Sequence, residues 1–392
     1  MRIEIHVLQN FAPANLNRDD TGSPKDAEFG GHRRARISSQ CQKRAVRQFF
    51  QANDLIPIPN RGHRTKRLLD EAERRLNGKG RASDAIRRAV SAALAGGGLK
   101  LADDDRTQYL LFLGEGEIAR FVEVVDQNWD VLSVEPAKPA EEAGKKKTAK
   151  KEKAEAKAAI PAEIGKAVEK LLDGGKAADL ALFGRMLADL PEKNVDAACQ
   201  VAHAISTNKI HSMEMDYYTA VDDLKPTDTA GADMIGTVEF NSACFYRYAN
   251  LDLEQLRKNL QNDDELVRKT TDSFLRAFVH AIPTGKQNSF AAHNPPSLVF
   301  AVLRSGPPVS LANAFVKPVS ARGEVSLVDQ SIAETDRYYG QIVKMYGDGG
   351  LVKSAVCQLG ESYLTHLKDD VVSVDKLVET MLSAAFNGKE TK

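Results

Sequence analysis

His32-Arg33-Arg34-Ala35-Arg36-Ile37-Ser38-Ser39-Gln40-Cys41-Gln42-Lys43-Arg44-Ala45-Val46-Arg47-Gln48-Phe49-Phe50 reads as a strand running into a helix. Arg34, Arg36 and Ser38 alternate onto one face of an extended segment, with Ala35 and Ile37 on the other. From Cys41 the period changes. Cys41, Ala45, Val46, Phe49 and Phe50 recur at helical spacing, which makes a stripe that can be buried. Ser38 or Ser39 can cap the helix start, and Asn53-Asp54 with Pro57 and Pro59 ends it. Between Glu28 and Asp54 there is no acidic residue, but there are six basic ones: Arg33, Arg34, Arg36, Lys43, Arg44 and Arg47.

That concentration stands out because the chain as a whole is neutral, with 54 basic and 54 acidic residues. The first hundred residues hold 20 Lys+Arg and 10 Asp+Glu, a net of +10, so the remainder carries −10. Charge gathered on one element of a neutral protein points to a local anion site, most simply a phosphate backbone. The bland alternative is a solvated basic helix face. A length of 392 residues allows two or three domain-sized units. No apolar run approaches the roughly 18 residues that span a bilayer. Cys41, Cys199, Cys244 and Cys357 are far apart and form no C-x-x-C pair, so free thiols in a reducing cytoplasm are expected rather than a zinc site.

Outward from this block, residues 2–8 alternate as a half-buried first strand, with Ile3, Ile5 and Val7 facing inward and Arg2, Glu4 and His6 outward. Asn10 to Gly31 is polar and turn-rich, a long loop. Residues 61–128 read as helical with a break at Gly96-Gly97-Gly98. Residues 133–162 form an Ala/Lys/Glu/Pro tract that cannot bury enough apolar surface to fold on its own. Helical spacing returns over 163–206. Gly236 to Ala249 is a long strand, Glu265 to Ile282 a helix capped by Asn262-Asp263-Asp264, and Ser297 to Arg304 another strand. Helices close the chain. The order strand, helix, insertion, strand, helix, strand is that of an α+β, split βαβ (ferredoxin-like) core with large insertions.

Known active-site patterns are missing. There is no phosphate-loop motif, since Thr284-Gly285-Lys286 is followed by Gln287, and there is no H-E-x-x-H or G-x-S-x-G. His6 reads as a strand-face residue. Asp19-Asp20 and Asp103-Asp104-Asp105 could hold Mg²⁺, but they read more simply as turn residues. The strand face carrying Arg34, Arg36 and Ser38 leads into a helix start whose free N–H groups favour anions, and Lys43, Arg44 and Arg47 extend that surface. Asp216-Tyr217-Tyr218-Thr219 places two aromatics in a polar stretch. They either stack on unpaired bases, worth about 1–3 kcal/mol per base, or pack locally.

Several blocks together resemble one family: Leu16-Asn17-Arg18-Asp19-Asp20, Lys25-Asp26-Ala27-Glu28-Phe29-Gly30-Gly31, Arg33 to Gln40 with Lys43-Arg44-Ala45, Leu182-Phe183-Gly184-Arg185-Met186, Tyr218 to Leu224, and Phe245-Tyr246-Arg247-Tyr248-Ala249-Asn250. The chain is similar to the CasC-type, crRNA-binding backbone subunit of the type I-E CRISPR Cascade complex. Cys41 stands where that motif has serine, and Tyr217 where a tryptophan occurs.

The resemblance implies an RRM-like palm (1–53 and 236–320), a helical finger domain (54–205, including the 133–162 tract), a protruding thumb (206–235) and C-terminal helices (321–392). It implies a cytoplasmic, non-catalytic antiviral defence protein without cofactor or metal. Copies would polymerise as a helical ribonucleoprotein along crRNA, kink it at intervals and present it for pairing with target DNA, beside other Cascade subunits.

RNA contacts are implied at Arg18, Lys25, Ser38, Gln40, Lys43, Arg44 and Arg47. Ser39 and Gln42 inside the same block, and Arg34 and Arg36 on the strand face, complete that set. Met186 would wedge against a base, and Tyr217, Tyr218 and Thr219 would sit at the thumb tip. Lys286 and Asn288 are added from Pro283-Thr284-Gly285-Lys286-Gln287-Asn288, where a surface turn explains them nearly as well. Two rivals stand beside this reading: a related endoribonuclease using His6, His32 or His211 as base, and a generic single-strand binder.

Overall fold

The alternation at the amino end does form a strand, but one enclosed on both faces. The computed structural model describes residues 1–99, 101–102, 104–134, 161–187, 190–210, 213–218, 236–360 and 362–387. Its strands are β1 (Arg2–Ala14), β2 (Asp26–Phe29), β3 (His32–Ile37), β4 (Gly62–Thr65), β5 (Leu111–Gly114), β6 (Cys199–Val201), β7 (Ala204–Ser206), β8 (Glu214–Tyr218), β9 (Gly236–Asp252), β10 (Leu298–Arg304) and β11 (Leu351–Gln358). Its helices are α1 (Ser39–Ala52), α2 (Leu68–Leu76), α3 (Ser83–Gly96), α4 (Glu115–Gln127), α5 (Trp129–Leu132), α6 (Ala162–Leu171), α7 (Ala178–Phe183), α8 (Leu253–Asn259), α9 (Asp264–His280), α10 (Gln287–Phe290), α11 (Leu327–Tyr346) and α12 (Val374–Phe386). Helices and an antiparallel sheet make this an α+β protein.

The chain divides into two compact units. One comprises 1–55, 199–253 and 268–392; the other comprises 56–198 and 254–267. In the first, the strands run β11-β10-β1-β9-β7-β3-β2, with β6 and β8 also paired to β9. β1 is antiparallel to β9 on one side (Ile5↔Ala249) and to β10 on the other (Ile5↔Ala301). One sheet face packs Leu8, Tyr246, Phe300 and Val356 against Phe315, Ile332 and Tyr339.

The sheet face that carries Glu4 and His6 is itself covered by the Phe315, Ile332 and Tyr339 layer, so these expected outward residues of β1 are buried. Each is paired, as a buried polar group must be. Arg304 Nε donates to Glu4 Oε1 at 2.9 Å, and the Val309 N–H donates to Glu4 Oε2 at 3.0 Å. His6 Nδ1 lies 2.8 Å from Tyr246 Oη. Burial alone would raise the Glu4 carboxyl. The His6, Val309 and Arg304 contacts outweigh it and hold the group below its ordinary range. Burial pushes His6 down, so the imidazole is neutral.

The second unit packs Leu69, Ala72, Ile86, Val90, Leu94, Ile118 and Val168 of its helices into a separate core, closed on one side by Leu111 and Leu113 of β5.

Other boundaries differ from the sequence reading for identifiable reasons. β1 continues to Ala14, and β2 occupies part of the expected 10–31 loop. The 61–128 region contains the β4–β5 pair as well as helices, because four-residue strands carry too little periodicity to show against a helical background. β6 and β7 fall where helix was read over 163–206. The closing segment is not all helical: β11 joins the sheet edge beside β10. Most of the 133–162 tract, and residues 219–235 of the expected thumb with Thr219, lie outside the described residues.

His6 carries a pH signature. Its folded pKa is lowered, so the unfolded chain takes up the proton first, near pH 6.5, about the ordinary histidine value. Stability should therefore fall as pH drops below about 6.5, with Glu4 adding a further loss of the same sign at lower pH. Thermal unfolding at pH 7.5 and pH 5.5 should show this drop, and His6→Gln should shrink it. An identical drop in the variant would assign the effect elsewhere.

Candidate nucleic-acid interface

In the first unit, α1 begins as its sequence predicts. Ser38 is the cap residue, and its hydroxyl accepts from the Cys41 N–H at 3.2 Å. No acidic residue sits in the first turn. The start of this 14-residue helix thus presents partial positive charge with nothing of its own to neutralise it.

The loop before β2 is tied onto this helix start. Asn17 Oδ1 accepts from the Ser38 N–H at 2.8 Å, the Asn17 carbonyl accepts from the Lys25 N–H at 2.8 Å, and the Lys25 carbonyl accepts from the Arg36 N–H at 2.9 Å. Asp19 is a turn residue, accepting from the Thr21 and Ser23 N–H groups at 2.9 and 3.0 Å. On the other side, Gly285 lies so close to the Leu16 carbonyl that a Cβ there would sit 2.3 Å from its oxygen. Arg44 Nη1 donates to Thr284 Oγ1 at 3.3 Å. The loop at 15–25, the helix start and the 283–288 segment therefore converge. Arg18, Arg44, Gln40 and Asn288 are exposed there, and Lys25, Arg36, Ser39, Lys43, Arg47 and Lys286 are half-buried.

Two neighbouring groups register the positive field. Burial, then Arg36, then Lys25, push His203 below the usual histidine range. Burial raises the Cys41 thiol, while Arg44 and Lys25 pull it back. Among the described residues Arg18, Lys25 and Lys286 meet no carboxylate. Among the described residues Arg44 bonds to the neutral Gln48 and Thr284.

Two expected contacts are corrected. Arg34 was expected on the outer strand face but is 0% exposed. Its Nη1 donates to the Ser206 and Thr207 carbonyls at 2.9 and 2.8 Å, and its Nη2 to those of Phe315 and Val316 at 2.6 and 3.2 Å. No phosphate can displace four internal acceptors, so Arg34 is a structural clamp. Gln42 is likewise buried. Its Nε2 donates to the Ala202 carbonyl at 2.8 Å, and its Oε1 accepts from Arg247 Nε at 3.4 Å. Period-based reading places residues on a face but cannot say that both faces are covered. Ser38 is also mostly buried, its hydroxyl used by the cap.

Sequence reasoning missed Asn17, Thr284 and His203 as supports of this surface. Asn17 lay inside a quoted motif. His203, whose Nδ1 is 3.0 Å from Arg36 Nη1, gave no signal, because its strand neighbours read as helix.

The second unit holds Met186, 82% exposed. The residue before it is tied into the unit. Arg185, directly before it, is buried, and its Nη1 donates to both oxygens of Glu117 at 2.9 Å. Arg185 and Val195 exchange backbone hydrogen bonds at 2.9 Å. Gly184 at φ +76° makes the turn, in a space where a Cβ would meet the Val195 carbonyl at 2.8 Å. In the first unit β8 pairs with the start of β9, which puts Tyr217 opposite Thr237 and leaves its ring 66% exposed. Tyr218 pairs with Gly236. Of the candidate bases, His6 is enclosed by Tyr246, Tyr248 and Phe300, His32 is exposed at the head of β3, and His211 lies outside the described residues.

Two solved chains are similar to this one over nearly its full length. A chain of a solved "CRISPR RNA-guided surveillance complex, pre-nicking" superposes with a TM-score of 0.84 at 29% identity, over 98% of this chain and 100% of that one. A chain of a "CRISPR RNA-guided surveillance complex" does so at 0.75 and 26%, over 98% and 100%. No curated protein sequence matches. The family described as CT1975-like protein matches residues 3–382, and with nearly the whole length covered the chain belongs to that family.

Proposed function

We propose that this protein is the crRNA-binding backbone subunit of a CRISPR Cascade complex, of type I-E. The observation that carries the reading is the basic surface at the start of α1, where Arg18, Lys25, Arg44 and Lys286 converge without carboxylate partners. Such a surface grips ribose-phosphate without reading sequence, which is then left to base pairing. Ser39 and Gln40 add the hydrogen-bonding edge, and Arg36, Lys43, Arg47 and Asn288 widen it. The palm is RRM-like. Its support is the order β10-β1-β9-β7, all neighbours antiparallel, with α1 between β1 and β7 in sequence and α9 between β9 and β10.

Copies of the chain stack head to tail along the RNA into a helical filament. Tyr217, with Tyr218 and Thr219, acts on the RNA held by a neighbouring copy, and Met186 wedges a base. The exposed RNA segments pair with target DNA, and other Cascade subunits close the assembly. The chain acts in the cytoplasm and is non-catalytic. No described helix is long and apolar enough to cross a membrane. Among the described candidates the endoribonuclease reading rests on His32, since His6 is sealed in the core; His211 lies outside the described residues. Incubated with repeat RNA, the protein should leave it intact. Site-specific cleavage lost in His32→Ala would overturn the non-catalytic assignment.

Removing charge at Lys43 and Arg47 together should weaken RNA binding for every sequence and reduce the salt slope by about 1.4, at about 0.7 per phosphate contact on a single strand. A slope equal to wild type would remove both residues from the path. Arg34→Gln should behave differently. By leaving buried acceptors unpaired it should cost more than about 3 kcal/mol of stability, seen as a lowered denaturant midpoint. A stable Arg34→Gln protein with weak RNA binding would restore Arg34 as an RNA ligand. Tyr217→Ala should disorder the filament seen by electron microscopy more than it lowers RNA affinity; equal loss in both would make Tyr217 a folding residue.

A further inference from the structure

The second unit carries another basic segment, Arg61-Gly62-His63-Arg64-Thr65-Lys66-Arg67, on β4 and the turn that follows. Its cations are not equivalent. Arg61 Nε donates to the Ile56 carbonyl at 2.7 Å, and His63 Nε2 lies 3.1 Å from Glu115. Arg64, Lys66 and Arg67 are exposed and, among the described residues, meet no carboxylate. The nearby acids are committed to other arginines: Glu71 to Arg74 and Arg75, Glu115 to Arg75, and Asp105 to Arg87 at 2.8 Å.

An aromatic is fastened beside these cations. Thr107, itself buried, donates its N–H to the Lys66 carbonyl at 2.9 Å and its hydroxyl to the Tyr109 carbonyl at 2.8 Å. The Tyr109 backbone is thereby tied through Thr107 to that of Lys66, and the residue is 49% exposed. The residue before Met186 reaches this pair: Arg185 Nη1 donates to the carbonyl of Phe112 at 3.3 Å, and Phe112 lies opposite Arg64.

Three cations without a carboxylate partner among the described residues, near an exposed tyrosine whose backbone is tied to theirs, have the chemistry of a single-strand platform: phosphates along the cations, a base on the ring. We infer that the β4–β5 hairpin is a second single-stranded nucleic-acid contact, in which Arg64, Lys66 and Arg67 hold consecutive phosphates and Tyr109 stacks a base. The site lies wholly within the second unit and does not depend on the palm surface. The bound strand is either guide RNA or displaced DNA, which share this backbone.

The test uses the complex purified with its guide. Two quantities are measured: guide RNA retained per chain, and affinity for a labelled single-stranded DNA unrelated in sequence to the guide, across a salt series. The variant Arg64→Gln/Lys66→Gln/Arg67→Gln should weaken DNA binding about ten-fold or more and lower the salt slope by about 2. Tyr109→Ala should cost about five-fold or more while Tyr109→Phe stays near wild type. Loss of guide RNA instead would support the site with RNA as its strand. All side chains changed are exposed, so melting temperatures should match wild type. Unchanged RNA content, DNA affinity and salt slope in the triple variant would overturn the proposal. A palm variant, Lys43→Gln/Arg47→Gln, run in parallel separates this outcome from failure of the backbone reading.

Discussion

The guanidinium of Arg34 is the constraint on which the basic surface rests. It joins β3 to the carbonyls of Ser206 and Thr207 at the end of β7 and to those of Phe315 and Val316. The same carbonyl of Val316 lies 2.2 Å from where a Cβ of Gly30 would stand, so the β2–β3 turn can approach only because that residue is glycine. Phe29 covers the guanidinium, with its ring centre 5.8 Å from Arg34 Cζ. Hydrogen bonds made by a charged group are each worth about 1.5–3 kcal/mol net. Four of them fix the direction in which β3 delivers the start of α1, and with it the loop carrying Arg18 and Lys25.

Arginine is used here in two opposite ways. Arg34, Arg185 and Arg247 are inside, and the terminal Nη donors of each are taken up by the protein itself, while the Nε of Arg34 and of Arg185 meets no acceptor among the described residues. Arg247 serves Gln9 Oε1 at 2.6 Å and the Phe278 carbonyl, and burial pushes its pKa down to about 10. Arg185 has a carboxylate partner and supports the exposed Met186. Arg18, Arg44, Arg64 and Arg67 are outside and, among the described residues, meet no carboxylate. A planar fork of donors suits both tasks, as an internal tie between strands and as an external phosphate grip. In a chain with zero net charge, what matters is which cations the fold neutralises and which it leaves open.

The strand-to-helix unit, the Ser38 cap, the long strand at 236–252, the Asp263-capped helix and the strand at 298–304 were all legible in the sequence. Each rests on local periodicity and end chemistry, which neighbouring residues set among themselves. β1 was legible as a strand but not as a central one. Its polar positions Glu4 and His6 look like a solvent face until Arg304 and Tyr246, some 240 to 300 residues away, arrive to satisfy them. β11 went unread because an edge strand between two helices carries a weak signal. The short β4–β5 pair was hidden inside a helical stretch, and with it the second basic segment.

Local order along the chain is thus enough to say that cations gather at a helix start, and that an α+β core is interrupted by an insertion. Six basic residues and no acid over two dozen positions is a property of composition, and no folding can remove it. Which of those cations face water is another matter. Arg34 and Arg36 stand two residues apart on one strand, yet one is sealed among carbonyls and the other reaches His203 at the surface. That difference comes from segments hundreds of residues distant packing over one end of the strand and not the other, because burial is a property of the assembled core and not of the strand that enters it.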